Sequence, residues 1–311
     1  MDLFMNADWK PQLVTETWES QAILKDLTRI EGPTILIIGR RFYHYDDERL
    51  LKVGGDEDEA WMTALARRVL QDSSKVPRVY SFIQMPNNSA ILMDRISGVP
   101  LSTVWDDISE EQRLNVTDQL YDILLAVRRP VFEYAGRPDH KPYILPNTEL
   151  GSDAHDFCAN IEAWNASRAR AIMANTVDSP QAAAFRDQQY QLVTGTAADR
   201  FVLTHGDLSD RNIIVDPDSL NITGIIDWED ANVVPCYFEY IAARLSEGHL
   251  PQWRKVLLGV LEKVLERECE EKGASYLEEL VRWKALVDVE RYAHGLDEHC
   301  TWTFDSETTK I

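Results

Sequence analysis

Two short stretches hold the side chains best suited to chemistry. They are Thr204-His205-Gly206-Asp207-Leu208-Ser209-Asp210-Arg211-Asn212 and Ile225-Ile226-Asp227-Trp228-Glu229. Each places an acid beside an apolar run, and an amide follows the first acid within the same stretch. Oxygen donors of this kind suit a hard cation, since Mg²⁺ takes oxygen ligands in near-octahedral order and keeps several of its waters. Phosphoryl transfer from ATP asks for this set. One carboxylate orients an acceptor hydroxyl and takes its proton, while a carboxamide and a second carboxylate hold the ion that neutralises the phosphates. Taken singly, an Asp or Asn in a turn is usually a cap or an Asx-turn residue. Order, spacing and strand context together argue for chemistry.

The elements around these residues must bring them together. Asn212–Val215 and Ile222–Ile226 are apolar runs joined by Asp216-Pro217-Asp218-Ser219-Leu220-Asn221, which is good turn chemistry. A hairpin there sets Asn212 and Asp227 beside one ion. Upstream, Lys52 sits in the apolar run Leu50-Leu51-Lys52-Val53, and a lysine inside such a strand needs an anionic partner. The helix predicted over Asp56–Leu70 carries Glu57, Asp58 and Glu59 in its first turn, where acids also simply suit the helix dipole. Residues 34–38 and 50–53 read as strands joined by a polar and aromatic turn over Gly39–Arg49. Val79–Ile83 and Ala90–Met93 read as two more, around Met85-Pro86-Asn87-Asn88. These make a small β-rich lobe, a five-stranded sheet with one main helix, over residues 1–93.

Helical periodicity dominates residues 94–311. Ser109 with Gln112 marks a capped helix start running to about Val127. Ala154–Ala174 and Pro180–Val193 follow, with Asp153 and Ser179 as N-caps, and helices return from Phe238 to about Ala293. Trp164, Trp253, Trp283 and Trp302 lie in this half, where aromatic residues at helical spacing are more often core than ligand cage.

The catalytic stretches resemble a known family. His-Gly-Asp-Leu-Ser-Asp-Arg-Asn-Ile-Ile-Val-Asp from His205, followed by Gly-Ile-Ile-Asp-Trp-Glu-Asp-Ala from Gly224, is similar to the motif pair of the aminoglycoside phosphotransferase and choline kinase-like family. Asp207 and Asn212 also share the offset of the Asp and Asn in the protein-kinase loop H-R-D-x-x-x-x-N. The resemblance implies an α/β (α+β), two-lobed protein kinase-like fold, with a β-rich N-lobe for nucleotide and a larger helical C-lobe for catalysis and substrate. It implies Asp207 as catalytic base, Asn212 and Asp227 as Mg²⁺ ligands, and His205 as a packing residue that positions the loop. Lys52 is then the lysine on the ATP α/β-phosphates; the family's acid that pins it falls near Trp61–Thr63, where this sequence has no carboxylate, and Glu59 is the nearest candidate. Met93-Asp94-Arg95-Ile96 falls where the family has its interlobe hinge, so adenine would bond backbone groups of Asp94 and Ile96. Met93 either faces the adenine or is ordinary core. The phosphate-covering turn has only Gly39, followed by Arg40 and Arg41. Glu229 and Asp230 either line the acceptor site or form a solvated turn, and Asp210 and Arg211 read as surface or salt-bridge residues.

Composition narrows the partners. The 311-residue chain is 44% apolar, enough for a sizeable core, and carries a formal charge of -20. Such a surface repels nucleic-acid backbones and anionic headgroups, so neither nucleic acid nor membrane is an expected partner. It suits a small-molecule acceptor with an amine, or merely keeps the protein in solution. The four cysteines are scattered without CxxC pairs, and Met1–Pro11 has no signal-peptide pattern, so a cytoplasmic protein is expected. Oligomeric state is not written in these features. Two further readings of such a chain are open: a kinase-like protein that has lost catalysis and serves as a binding or scaffold module, and a cleft turned to non-phosphoryl chemistry.

Overall fold

The computed structural model describes residues 8–30, 41–71, 73–147, 151–175, 180–195, 199–245 and 249–294. Its N-terminal half is built on a six-stranded sheet. The strands are β1 (Val14–Thr17), β2 (Thr28–Arg29), β3 (Arg41–His44), β4 (Arg49–Val53), β5 (Val79–Met85) and β6 (Asn88–Asp94), in spatial order β1-β5-β6-β4-β3-β2. Only β1 runs parallel to its neighbour, β5. Leu51 and Val53 on β4 are fully buried while Lys52 pairs across to Phe42 and Ile91. The lysine therefore leaves the sheet on the face opposite those two side chains.

This sheet corrects the sequence reading in two places. Among the described residues it has six strands rather than five; β1 (Val-Thr-Glu-Thr) is mostly exposed and carries no apolar alternation to reveal it. The strand hairpinned to β4 is β3, inside the segment read as a turn; the actual turn is tighter, with Asp46 Oδ1 accepting from the N–H groups of Glu48 and Arg49. The strand expected over residues 34–38, Gly39 and Arg40 lie outside the described residues. The turn between β5 and β6 forms as expected, with Asn87 in the left-handed region.

Helix α1 (Glu57–Val69) follows β4. Asp56 caps it by accepting from the N–H of Glu59 at 2.7 Å, and Glu57, Asp58 and Glu59 fill the first turn. Met62, Leu65, Ala66 and Val69 do not stay with the sheet. They join the large core of the C-terminal half, which also holds Trp164, Trp228, Trp253 and Trp283. One continuous apolar cluster thus joins helix α1 to the residues beyond 100. Trp302 lies outside the described residues.

Beyond β7 (Val99–Pro100) the architecture is helical with short strands. Helix α2 (Glu110–Arg128) starts on the expected capping box, Ser109 with Gln112. A hairpin of β8 (Ile144–Asn147) and β9 (Gly151–Ala154) precedes α3 (Ile161–Asn175) and α4 (Pro180–Leu192). Here too the sequence expectation shifts: α3 begins seven residues later than 154, and Asn160 rather than Asp153 caps it, by accepting from the N–H of Ala163. Ser179 lies outside the described residues. Strands β10 (Phe201–Thr204) and β13 (Asn232–Pro235) pair around the hairpin of β11 (Ile213–Val215) and β12 (Ile222–Ile225). Then come α5 (Phe238–Leu245), α6 (Pro251–Lys272) and α7 (Tyr276–Ala293), with Gly273 in the left-handed region closing α6. No described helix is long and apolar enough to cross a membrane.

Candidate active site

The two chemical stretches meet on the β11–β12 hairpin. Ile213 pairs with Ile225, and the N–H of Ile226 donates to the carbonyl of Asn212 at 2.9 Å. Asn212 and Asp227 consequently stand at the same end of adjacent strands. Asp227 adopts φ 66°, a left-handed conformation that Asp tolerates better than most residues. Strain of this kind marks positions where the surroundings fix the backbone.

Asp207 is held from several directions. The Asn212 amide Nδ2 donates to its carbonyl at 2.9 Å and to Oδ2 at 3.0 Å. His249 Nε2 meets Oδ1 at 2.8 Å. Burial pushes the carboxyl up, but the hydrogen bond and pull of His249, with the Arg211 guanidinium nearby, outweigh it and hold Asp207 below the usual carboxylate range. An ionised carboxylate only accepts, so His249 is the donor. Asp207 still shows 26% of its side chain to solvent, leaving a face open to a ligand.

The loop that carries Asp207 is fixed by buried hydrogen bonds. The Glu239 carboxylate accepts from the N–H of His205 at 2.6 Å and of Gly206 at 3.2 Å. Burial raises its pKa. The His205 ring lies tilted against Trp228 at 4.6 Å, 3.0 Å from the Ile226 carbonyl through Nε2, and takes the Asp207 N–H on Nδ1 at 3.2 Å. A carbonyl cannot donate, so the ring carries its proton on Nε2. Gly206 has φ +85°, and a Cβ there would come within 2.5 Å of the Asp230 carbonyl oxygen. Only glycine fits that approach.

Lys52 reaches the same centre from the sheet. Its ammonium, 3% exposed, lies 2.6 Å from Glu59 Oε1, 2.6 Å from Asp227 Oδ1 and 3.7 Å from Glu229. Glu59 is therefore the acid on α1 that meets Lys52, while Glu57 and Asp58 turn to Lys141. Glu59, Asp227 and Glu229 offer three carboxylate oxygens within 4.8 Å of one another, with the ammonium among them. Burial, together with the charges of Asp227 and Glu229, pushes Glu59 up to about 7 against the pull of Lys52. Asp230 is likewise pushed up to about 7, by burial and then by Glu229, Asp207 and Asp227. The donor set suits Mg²⁺: the Asp227 carboxylate and the side-chain oxygen of Asn212, whose nitrogen is already spent on Asp207, with the Glu229 carboxylate nearby.

Other sequence-predicted residues fall as follows. Met93 is 8% exposed in a cluster with Ala60, Phe82 and Ile91. Asp94 gives its N–H to the Arg78 carbonyl, and its side chain accepts from Arg78 N–H and the Tyr80 hydroxyl. Ile96 packs over Gly224, where a Cβ would come within 2.7 Å of it. Trp228 is core, 1% exposed. The 229–230 segment is no solvated turn, since Arg137 donates to the Glu229 carbonyl at 2.5 Å and Asn232 to that of Asp230 at 2.9 Å. Asp210 is not a surface residue either. It is 1% exposed, its carbonyl accepts from Ser102 N–H, and burial raises its carboxyl pKa.

Sequence reasoning missed Glu239, His249 and Arg137. An acid within the apolar run Tyr237-Phe238-Glu239-Tyr240-Ile241 was a usable signal, because a buried carboxylate must find donors. His249 and Arg137 carry no local pattern at all.

Comparison with known proteins agrees with this architecture. A search of the curated proteins gave no match. Among solved structures, a candidate aminoglycoside phosphotransferase from Ralstonia eutropha is 12% identical, with 91% of this chain and 88% of that one covered and a TM-score of 0.50. An aminoglycoside-3'-phosphotransferase of type VIII is 17% identical over 85% of this chain and 93% of that one, TM-score 0.47. A choline/ethanolamine kinase family protein from Mesorhizobium loti is 12% identical over 87% and 92%, TM-score 0.40. The likeness to the Ralstonia structure is one of fold, the two-lobed kinase-like fold with a β-rich N-terminal region and a helical C-terminal region. The sequence profile of the phosphotransferase enzyme family matches residues 41–270, a span that includes Lys52, Asp207, Asn212 and Asp227, and the chain belongs to that family.

Proposed function

We propose that the protein is an ATP-dependent kinase that moves the γ-phosphoryl group to a hydroxyl of a small molecule. In this reading residues 1–93 form the nucleotide-binding lobe and residues 94–311 the catalytic and substrate lobe. The observation that carries it is the meeting of Lys52, Glu59 and Asp227 beside Asp207 and Asn212, from segments far apart in the chain. The contact of Lys52 with Glu59 also speaks against a degenerate, non-catalytic protein.

Each side chain then has a task. Lys52, pinned by Glu59, engages the α/β-phosphates, and the hinge offers backbone groups of Asp94 and Ile96 to adenine with Met93 as an apolar wall. Asn212 and Asp227 would hold Mg²⁺, which supplies charge neutralisation on the phosphates. Asp207 accepts a hydrogen bond from the acceptor hydroxyl. As the acceptor oxygen bonds to the γ-phosphorus, the bond from that phosphorus to the β,γ-bridging oxygen breaks, ADP departs with the electron pair, and the hydroxyl proton passes to Asp207. The acidic cluster of Asp207, Glu229 and Asp230 favours an amine-bearing acceptor. The buried thiols Cys158, Cys236 and Cys269 suit a reducing, cytoplasmic setting.

The test combines binding and turnover. Millimolar Mg-ATP should raise the melting temperature, since a ligand of the folded state stabilises it. A screen of aminoglycosides, choline, sugars and amino alcohols by ADP release should find a substrate whose mass rises by one phosphate. Asp207→Asn should keep the thermal shift and lose turnover. Absence of any shift, or near-normal kcat in Asp207→Asn, overturns the proposal.

A further inference from the structure

The ring of His249 is buried, with 1% of its side chain exposed, and it makes one described polar contact, Nε2 to Asp207 Oδ1 at 2.8 Å. Its Nδ1 is also buried and meets no hydrogen-bond partner among the described residues. Burying an imidazole with one nitrogen unpaired is costly. Packing alone favours an apolar residue at such a place. The contact with Asp207 is what the polar ring adds.

The surroundings show how the contact is aimed. His249 lies just before Leu250, the N-cap of α6, and Pro251 starts the helix. One turn on, Trp253 is fully buried, sits edge-on to Trp105 at 5.2 Å, and donates from Nε1 to the Leu208 carbonyl at 2.8 Å. The start of α6 therefore grips two consecutive residues of the catalytic loop, the side chain of Asp207 and the backbone of Leu208. On the other side, Asn212 donates to Oδ2 of the same carboxylate at 3.0 Å. Each oxygen of Asp207 is fixed by one N–H, from different elements, and a carboxylate has further lone pairs for a third partner.

We infer that His249 is a positioning residue for phosphoryl transfer, one that sets the plane of the Asp207 carboxylate so that its free lone pairs meet the acceptor hydroxyl. The inference rests on the reading of Asp207 as the base. It assigns α6 a part in catalysis: the helix that packs behind the loop also orients the reacting carboxylate. Misplacing a reacting group by an ångström is enough to cost orders of magnitude in rate.

The test uses the full chain, with ADP release from Mg-ATP and water as acceptor for turnover, and the hydrogen-bonded imidazole N–H resonance for the pairing. His249→Ala should lower kcat on the order of 10- to 100-fold and leave KM for ATP within about twofold. His249→Gln, whose amide nitrogen can reach the position of Nε2, should recover most of the loss. Adding His249→Ala to Asp207→Asn should cost nothing more, and the imidazole resonance should shift or vanish in Asp207→Asn. Normal kcat in His249→Ala, an equal loss in the Asp207→Asn background, or a resonance blind to Asp207→Asn overturns the inference. The two readings separate cleanly. If Asp207→Asn turns over normally, the base assignment falls and this inference with it; if Asp207→Asn is inactive while His249→Ala is not, only this inference falls.

Discussion

Lys52 and Asp227 lie 175 positions apart in the chain and meet at 2.6 Å. The same ammonium meets Glu59 at 2.6 Å, so one cation joins the sheet, helix α1 and the catalytic hairpin. Three carboxylates share it, which leaves the centre short of positive charge. A divalent cation held by these oxygens would correct that balance.

The imbalance predicts a pH dependence. Glu59 and Asp230 each titrate at about 7 in the folded protein, above the ordinary carboxylate range. A raised carboxyl pKa means that the folded state binds the extra proton. Its stabilisation is present at low pH and is lost as pH rises through 7. Lowering the pH from about 8 to about 6 should stabilise the nucleotide-free protein by about 1 kcal/mol per group. Denaturant melts at the two pH values measure it, and Glu59→Gln should remove roughly half of the difference.

Removing the cation should separate activity from folding. Lys52→Met leaves Glu59 without its partner, and a buried carboxyl in that position takes up a proton. The variant should fold best near pH 6 while kcat for ADP release falls on the order of 10²- to 10³-fold. Retention of normal turnover would take Lys52 out of the phosphate site.

Gly206 offers a purely steric probe. An added Cβ would lie 2.5 Å from the Asp230 carbonyl oxygen, and φ +85° is already unfavourable for any other residue. The obstacle is backbone, so the loop bearing Asp207 must move instead. Gly206→Ala should lower stability by about 1–3 kcal/mol and kcat by on the order of 100-fold. Unfolding curves and single-turnover rates check the two halves.

What the sequence disclosed follows from what leaves a local pattern. The β11–β12 hairpin was legible because its apolar runs flank a strong turn, and α1 because Asp56 and three acids mark its start. Strand β1 was not, since three of its four residues lie exposed and no apolar alternation marks it. Glu59 was visible but ambiguous: an acid in a first turn serves the helix dipole equally well, and only the sheet-to-helix geometry aims it at Lys52. His249 and Glu239 act through contacts 42 and 34 positions away in sequence, and no spacing rule connects them to Asp207 or His205.

The C-terminal half has its own buried charge cluster, remote in role from the phosphate chemistry. Arg128 on α2 donates from Nε and Nη2 to the two oxygens of Glu268 on α6 at 2.9 and 3.0 Å, and Arg200, just before β10, adds a third contact at 2.5 Å. Burial works against the charged form of Glu268, but the two guanidinium groups outweigh it and bring its pKa down to about 2. A lowered carboxyl pKa gives stability that is present above the unfolded value near 4.5 and fades as pH falls toward 2. The shift corresponds to about 3 kcal/mol at neutral pH, in keeping with the cost of breaking a buried ion pair. Glu268→Gln should therefore be less stable than the parent by about that amount at pH 7, and the gap should narrow by more than about half near pH 3. Urea unfolding at both pH values decides it, because a gap that stays constant would mean that the ion pair does not hold α6 against the strand pair behind the catalytic loop.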